Sequence, residues 1–143
     1  MKITLLKNST KRLTDFKKRE WEIIHPKHYG EKLNWSYWDV KKVRIKAEEG
    51  GKIVGGLSGH IMAGVFNIDE LIIDHEKRGL GIGKALMLKA EKYANKNKVH
   101  IIYLETGESW KAVRFYEKLG FKKVTLLKKF YSKKNFWLMT KYL

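Results

Sequence analysis

The chain has 143 residues, a single proline and no cysteine, with 43% hydrophobic and 32% charged residues. That composition predicts one soluble folded domain over residues 1–143 and excludes disulfides, thiolate metal ligands and a cysteine nucleophile. Thirty-one basic against fifteen acidic residues leave a formal charge of +16; because the lysines are dispersed, not gathered on one stretch, a solvated surface is preferred to a nucleic-acid footprint.

Taken from the N-terminus, Lys2 to Leu6 is a short strand candidate, and the opening MKITLLKNSTKR is too short and polar for a secretory signal. No later apolar run reaches the length of a membrane span, so a cytoplasmic protein without a membrane partner is expected. Leu13, Phe16, Trp21 and Ile24 predict an amphipathic helix ending near His25-Pro26, because the proline ring disfavours helical geometry before it. His25 and His28 are read as loop or surface residues. None of the five histidines sits in a metal-type cluster, and no metal is expected. Trp35, Tyr37 and Trp38 crowd into 28–38, where they suit equally a plug for one end of the core or the wall of an amine pocket.

Val43, Ile45 and Ala47 alternate with charge, as do Ile53, Leu57 and Ile61, and Glu49-Gly50-Gly51-Lys52 between them signals a hairpin. Gly55, Gly56 and Gly59 inside the second of these strands mark a bulge or a close backbone approach. Ala63-Gly64 then turns the chain into a third antiparallel strand, 65–73, ending in Leu71-Ile72-Ile73. After a polar turn come Arg78-Gly79-Leu80-Gly81-Ile82-Gly83, followed by helical spacing at Ile82, Leu86, Ala90 and Tyr93. A strand, a glycine turn and a helix start offer an anion the unpartnered amides of a first helical turn, at the positive end of the macrodipole. Glycine lets a phosphate approach the backbone closely, so a pyrophosphate is the expected guest. Two known loops fail on residues. A dinucleotide fingerprint needs Gly where Lys84 stands, and a nucleotide-triphosphate loop needs Gly at Arg78 and Ser or Thr at Ala85.

Downstream, Ile101 to Leu104 is an apolar run ending at Glu105-Thr106-Gly107. Trp110 to Leu119 is a further amphipathic helix, with Ala112, Phe115, Tyr116 and Leu119 on one face opposite Lys111, Arg114 and Lys118, and Gly120 stops it. Val124–Leu127 and Phe136–Met139 finish the chain as two strands. The order β, α, β, β, β, α, β, α, β, β predicts a mixed α/β (α+β) fold.

Two of these stretches carry a resemblance. Arg78-x-x-Gly81-x-Gly83 after an apolar strand resembles the coenzyme A pyrophosphate loop of the GNAT superfamily of N-acetyltransferases. AVRFYEKLGF, Ala112 to Phe121, resembles the helix and turn that these proteins carry after their fifth strand. With the strand order, the resemblance extends over about residues 45–125. It implies a single GNAT domain, a mostly antiparallel sheet of about seven strands flanked by helices, and acetyl-CoA as acetyl donor. It further implies that the backbone of Leu71, Ile72 and Ile73 pairs with the pantetheine arm. Arg78, Gly79, Leu80, Gly81, Ile82, Gly83 and Lys84 would hold the pyrophosphate, and Tyr116 would supply a proton to the leaving thiolate. Family members often have Asn three residues before the alanine of the second motif; Ser109 stands there and reaches less far toward the cofactor.

Glu70 alternates with Phe66, Ile68 and Ile72, so an unbroken strand points its carboxylate to an apolar face, where burial raises its pKa; a bulge reverses this. Asp69, Asp74, His75, Glu105 and ordered water compete with Glu70. The function that results is direct acetyl transfer from acetyl-CoA to a primary amine of a small molecule or protein, with a homodimer left open. The alternative is a coenzyme A-binding sensor or assembly module without transferase activity. A basic nucleic-acid-binding domain ranks last, for want of a helix-turn-helix, zinc or RNA-binding strand signature.

Overall fold

The computed structural model describes residues 1–143, and it departs from expectation first at the N-terminus. Residues 2–6 pair with no other strand and are exposed, so the sheet has six strands and not about seven. Ile3 and Leu5 alternate as a strand would, but no strand pairs with them, and an unpaired strand has no stability of its own in water.

Residues 1–36 and 37–143 form two compact units. The first is built on α1, Lys11–Tyr29, whose N-cap Thr10 accepts the Leu13 amide at 3.2 Å. The helix runs through Pro26 instead of ending before it. Close to a C-terminus the ring costs one backbone bond, and Gly30, at φ 72°, closes the helix by donating its N–H to the Pro26 carbonyl. His25 is therefore a buried helical residue, stacked on Tyr29 with centroids 4.4 Å apart, its Nδ1 3.1 Å from the Glu31 carbonyl oxygen. Only His28 keeps the surface position expected of both. Trp35 and Tyr37, in the short helix α2 (Trp35–Trp38), are exposed and plug no core.

The second unit holds the sheet. Its strands are β1 (Lys41–Glu49), β2 (Lys52–Met62), β3 (Val65–Ile73), β4 (Ile101–Gly107), β5 (Lys122–Leu127) and β6 (Phe136–Tyr142), in the order β1-β2-β3-β4-β6-β5. Every pair is antiparallel except β3–β4. Gly50 and Gly51 both take positive φ and close the β1–β2 hairpin as a primed turn requires. Helix α3 (Ile82–Lys96) packs on β1 to β3, and α4 (Ala112–Lys118) packs on β4. Phe66, Ile102, Leu104 and Met139 are the largest wholly buried side chains, and Leu86, Ala90 and Ala94 of α3 join them in one cluster. Gly55 permits the close fit: a Cβ there would meet side-chain atoms of Ile73, Ile82 and Leu86 at 2.9 to 3.1 Å.

Two irregularities in the sheet position the site. The β2–β3 register passes from Ser58↔Glu70 to Gly59↔Ile68, which leaves Asp69 as the extra residue of a bulge. A Cβ on Gly59 would collide with the Asn67 carbonyl oxygen, so only glycine fits opposite this bulge. The bulge reverses the alternation of β3: Phe66 and Ile68 face the helices before it, Leu71 and Ile73 after it. Then β3 and β4 pair only over Val65–Asn67 and Ile101–Tyr103 before they part. Residues 68–73 and 104–107 thus face each other across a gap in mid-sheet, with main-chain groups unpaired on both inner edges.

Candidate active site

The gap opens into a cleft of about 730 Å³ formed by Leu71–Ile73, the turn after β3, the first turn of α3 and one side of α4. Asp74 orders the turn by accepting the Glu76 amide at 3.0 Å, and Arg78 Nε donates to the Ile73 carbonyl at 3.4 Å. Gly79 and Gly81 take φ of 77° and 85°, and a Cβ on either would meet nothing within 4 Å, so the space before them is open. Gly81 is the N-cap of α3 and offers no side-chain cap. The amides of Ile82, Gly83 and Lys84 consequently have no partner in the chain. Lys77, Arg78, Lys84, Lys111 and Lys118 line the same cleft, and no acidic residue does. Free amides at the positive end of a fifteen-residue helix, ringed by cations, suit a polyanion. Lys77 is held at 2.7 Å by Glu49, and this pairing raises its pKa.

Of the residues expected at a cofactor, Leu71, Ile72, Ile73, Arg78, Gly79, Gly81, Ile82, Gly83 and Lys84 all meet in this cleft. Leu80 and Ser109 are not among its lining residues. Leu80 stands 68% exposed between the two positive-φ glycines. Ser109 belongs to a separate cavity with Trp110 and Tyr131, carried there by a tight turn in which the Trp110 amide donates to the Gly107 carbonyl. Helical spacing puts Lys111 and Lys118 on the far side of α4 from Tyr116, yet both reach the cleft. Lysine stems lie along a helix surface and bring the charge round to its edge, which spacing alone does not reveal.

Tyr116 closes the apolar end of the cleft. It is 8% exposed and stands edge-on to Phe115 and Phe121, at 5.1 and 5.7 Å between centroids. No side chain of the protein engages its hydroxyl. Burial pushes its pKa up to about 12, so the hydroxyl keeps its proton and acts as a donor throughout the neutral range.

Glu70 does not occupy the apolar face that unbroken alternation assigns it. The bulge at Asp69 turns Glu70 and Ile72 outward, and both are exposed. The carboxyl that burial does perturb is Glu105. It lies on β4, two residues past the last β3–β4 pair and on the face away from the helices. Burial raises its pKa and the charge of Asp69 adds to the effect. Tyr103, on the same face, is raised by burial and by both Glu105 and Asp69. Asp69 also holds His60, with Nδ1 and Oδ2 3.1 Å apart. In the sequence Glu105 was one of several acids at strand ends; its distinction is the gap beside it, and the gap is set by pairing between distant segments.

Comparison with known proteins places these features in context. Residues 10–121 match the family model described as the acetyltransferase (GNAT) family. An uncharacterised N-acetyltransferase of Methanocaldococcus jannaschii is 34% identical over 117 residues, covering 71% of this chain and 52% of that protein. The chain spans about half the length of the curated relatives it matches. Among solved structures, an acetyltransferase from Bacillus cereus shares the fold with a TM-score of 0.71, at 21% identity and 98% coverage of both chains. A GNAT family acetyltransferase from Elizabethkingia anophelis, solved with acetyl-CoA bound, gives a TM-score of 0.66 at 18% identity, over 70% of this chain and 75% of that one.

Proposed function

Because the chain belongs to the GNAT acetyltransferase family, we propose that it is an acetyl-CoA-dependent N-acetyltransferase that acetylates a primary amine by direct transfer. The observation that carries this reading is a coincidence in one cleft: an amide cradle for a polyanion, an unpaired strand edge, and a buried tyrosine that keeps its proton. When bound, acetyl-CoA supplies the activated acetyl thioester. The amides of Ile82, Gly83 and Lys84, with Arg78 and the side chain of Lys84, hold its pyrophosphate, and Gly79 and Gly81 leave the approach clear. The free edge of Leu71–Ile73 receives the amide-bearing pantetheine arm as a sheet edge receives an added strand. A backbone N–H near Ile73 polarises the thioester carbonyl, which needs no special side chain.

Glu105 takes the proton of the attacking amine, directly or through one water. Its raised pKa brings it closer to working pH than an ordinary carboxylate, and it replaces Glu70 as the base. Tyr116 faces the sulfur. With a pKa of about 12 it is a weak acid beside a thiol of ordinary pKa ~8.5, so it stabilises the departing thiolate chiefly through the hydrogen bond it donates.

A thermal-shift comparison tests the cofactor assignment. Acetyl-CoA raises the Tm, while NAD and ATP at the same concentration do not. Equal stabilisation by all three marks nonspecific attraction to a +16 surface and removes the reading. Amine-dependent release of free thiol from acetyl-CoA tests the chemistry.

A further inference from the structure

The sheet face turned away from α3 and α4 carries an order of charge that direct transfer does not by itself require. Residues directly opposite in paired strands share a face. Lys42 lies opposite His60 and Arg44 opposite Ser58, and across the next pair Asn67 and Glu70 lie opposite His60 and Ser58. Tyr103 pairs with Asn67, and Glu105 follows two residues on. From β1 to β4 the face therefore reads Lys42 and Arg44, then Ser58 and His60, then Asp69 and Glu70, then Glu105. Its basic side is concave: a cavity of about 420 Å³ is lined by Lys42, Arg44, Ser58, His60 and Asp69, with Met62 as an apolar wall. Lys42 and Arg44 join no ion pair, whereas Lys46, on the same strand, is bound to Glu48 at 3.0 Å. The His60–Asp69 pair closes the cavity on the side of the gap, and the influence of Asp69 extends to Glu105.

Building on the transfer reading, we propose that the acceptor is a small zwitterionic amine whose anionic group rests on Lys42 and Arg44 while its ammonium lies at Asp69 and Glu105, beside the gap between β3 and β4. Three strand spacings separate β1 from β4, about 14 Å, and the long side chains of Lys42 and Arg44 shorten the span to that of a metabolite. The ammonium binds at the two carboxylates and gives one proton to solvent water. Then the N–C bond forms as the thioester C–S bond breaks, Glu105 receives the surplus proton from the acylated nitrogen, which keeps one hydrogen as an amide, and the sulfur leaves with the electron pair as thiolate. A monoamine without an anionic group lacks the anchor at β1, and a polyamine places a second cation against Lys42 and Arg44. An acidic strip inside a +16 protein thus selects an ammonium without inviting a polycation.

The test follows thiol release from acetyl-CoA with matched amines: 2-aminoethyl phosphate against ethanolamine, 4-aminobutyrate against butylamine, and 1,4-diaminobutane. The zwitterionic member of at least one pair should exceed its partner without an anionic group in kcat/KM by ~10-fold or more, the scale of a charge-assisted contact, with the diamine poorest. The phosphate and carboxylate pairs tell which anion is favoured. In the double variant Lys42→Gln, Arg44→Gln the ratio should fall toward one while acetyl-CoA affinity holds. Lys46→Gln, on the same face but outside the cavity, should keep the ratio, and Arg44→Glu should improve the diamine. Equal kcat/KM within every pair, or a preference that survives in the double variant, overturns this inference and leaves the transfer reading standing. No transfer to any amine, from a protein that acetyl-CoA still stabilises, overturns both.

Discussion

Tyr116 and Glu105 are the residues on which the proposed chemistry turns, and burial raises the pKa of both. For Tyr116 the shift from 10.0 to about 12 has a consequence for stability. The unfolded chain loses the phenolic proton first, so the contribution is fully present below pH 10 and is lost as pH rises toward about 12. Two units correspond to ~2–3 kcal/mol over that window. Tyr116→Phe should flatten that part of the alkaline unfolding curve, as measured by Tm against pH. In the assay the same variant should lower kcat by ~10²-fold with little change in acetyl-CoA affinity. An unchanged kcat in a chemistry-limited assay would leave Tyr116 as packing between Phe115 and Phe121. For Glu105 the raised pKa should set the acid limb of kcat/KM above the ordinary value of 4.5, and Glu105→Gln should abolish that limb. The stability sign is the opposite of the usual carboxylate case: a raised folded pKa means stability falls as pH rises through it. Glu105→Gln should therefore match or exceed the parent Tm at neutral pH while losing activity.

At the scale of elements, glycines decide the geometry. Gly81 sits at φ 85° with open space before it, so Gly81→Ala costs only ~1–2 kcal/mol in backbone strain. The new methyl projects into the amide cradle, however, and acetyl-CoA affinity by calorimetry should fall by ~10-fold or more, a loss equivalent to one charge-assisted hydrogen bond. Gly59 has the contrary role. Its substitution to Ala drives a Cβ into the Asn67 carbonyl oxygen, which no rotamer change relieves. The β2–β3 bulge must then shift, and a Tm loss larger than that of Gly81→Ala is expected, with Asp69 and Glu105 no longer held in relation. A Gly59→Ala protein with parental Tm would mean that β3 accommodates another register.

For the whole molecule the question is what a +16 charge does. Five cations stand around the polyanion cleft and two around the cavity on the open face, so part of the excess has a local destination. Many of the others are exposed lysines spread over the surface. Binding to duplex DNA should accordingly be weak and vanish by moderate salt, because dispersed lysines give counterion release without a footprint. A sequence-selective complex that survives physiological salt would demand a nucleic-acid role instead.

Local chemistry was legible in the sequence wherever it depended on neighbours along the chain. The hairpin at Gly50-Gly51, the glycine turn before Ile82, the face of α4 that carries Tyr116 and the stop at Gly120 are each written within a few residues. Alternation at Ile3 and Leu5 predicts a strand but carries no information about long-range pairing, and no strand pairs with them. Pro26 reads locally as a stop, yet the helix passes it, because a proline near a C-terminus loses a single bond that the Gly30 cap helps to offset. Glu70 and Glu105 could be separated only in three dimensions. The Asp69 bulge depends on a glycine ten residues away in sequence, and the gap beside Glu105 depends on β3 and β4 parting after three pairs. Side-chain type determined which groups could act; long-range strand pairing decided which of them are kept from water, and so which pKa values move.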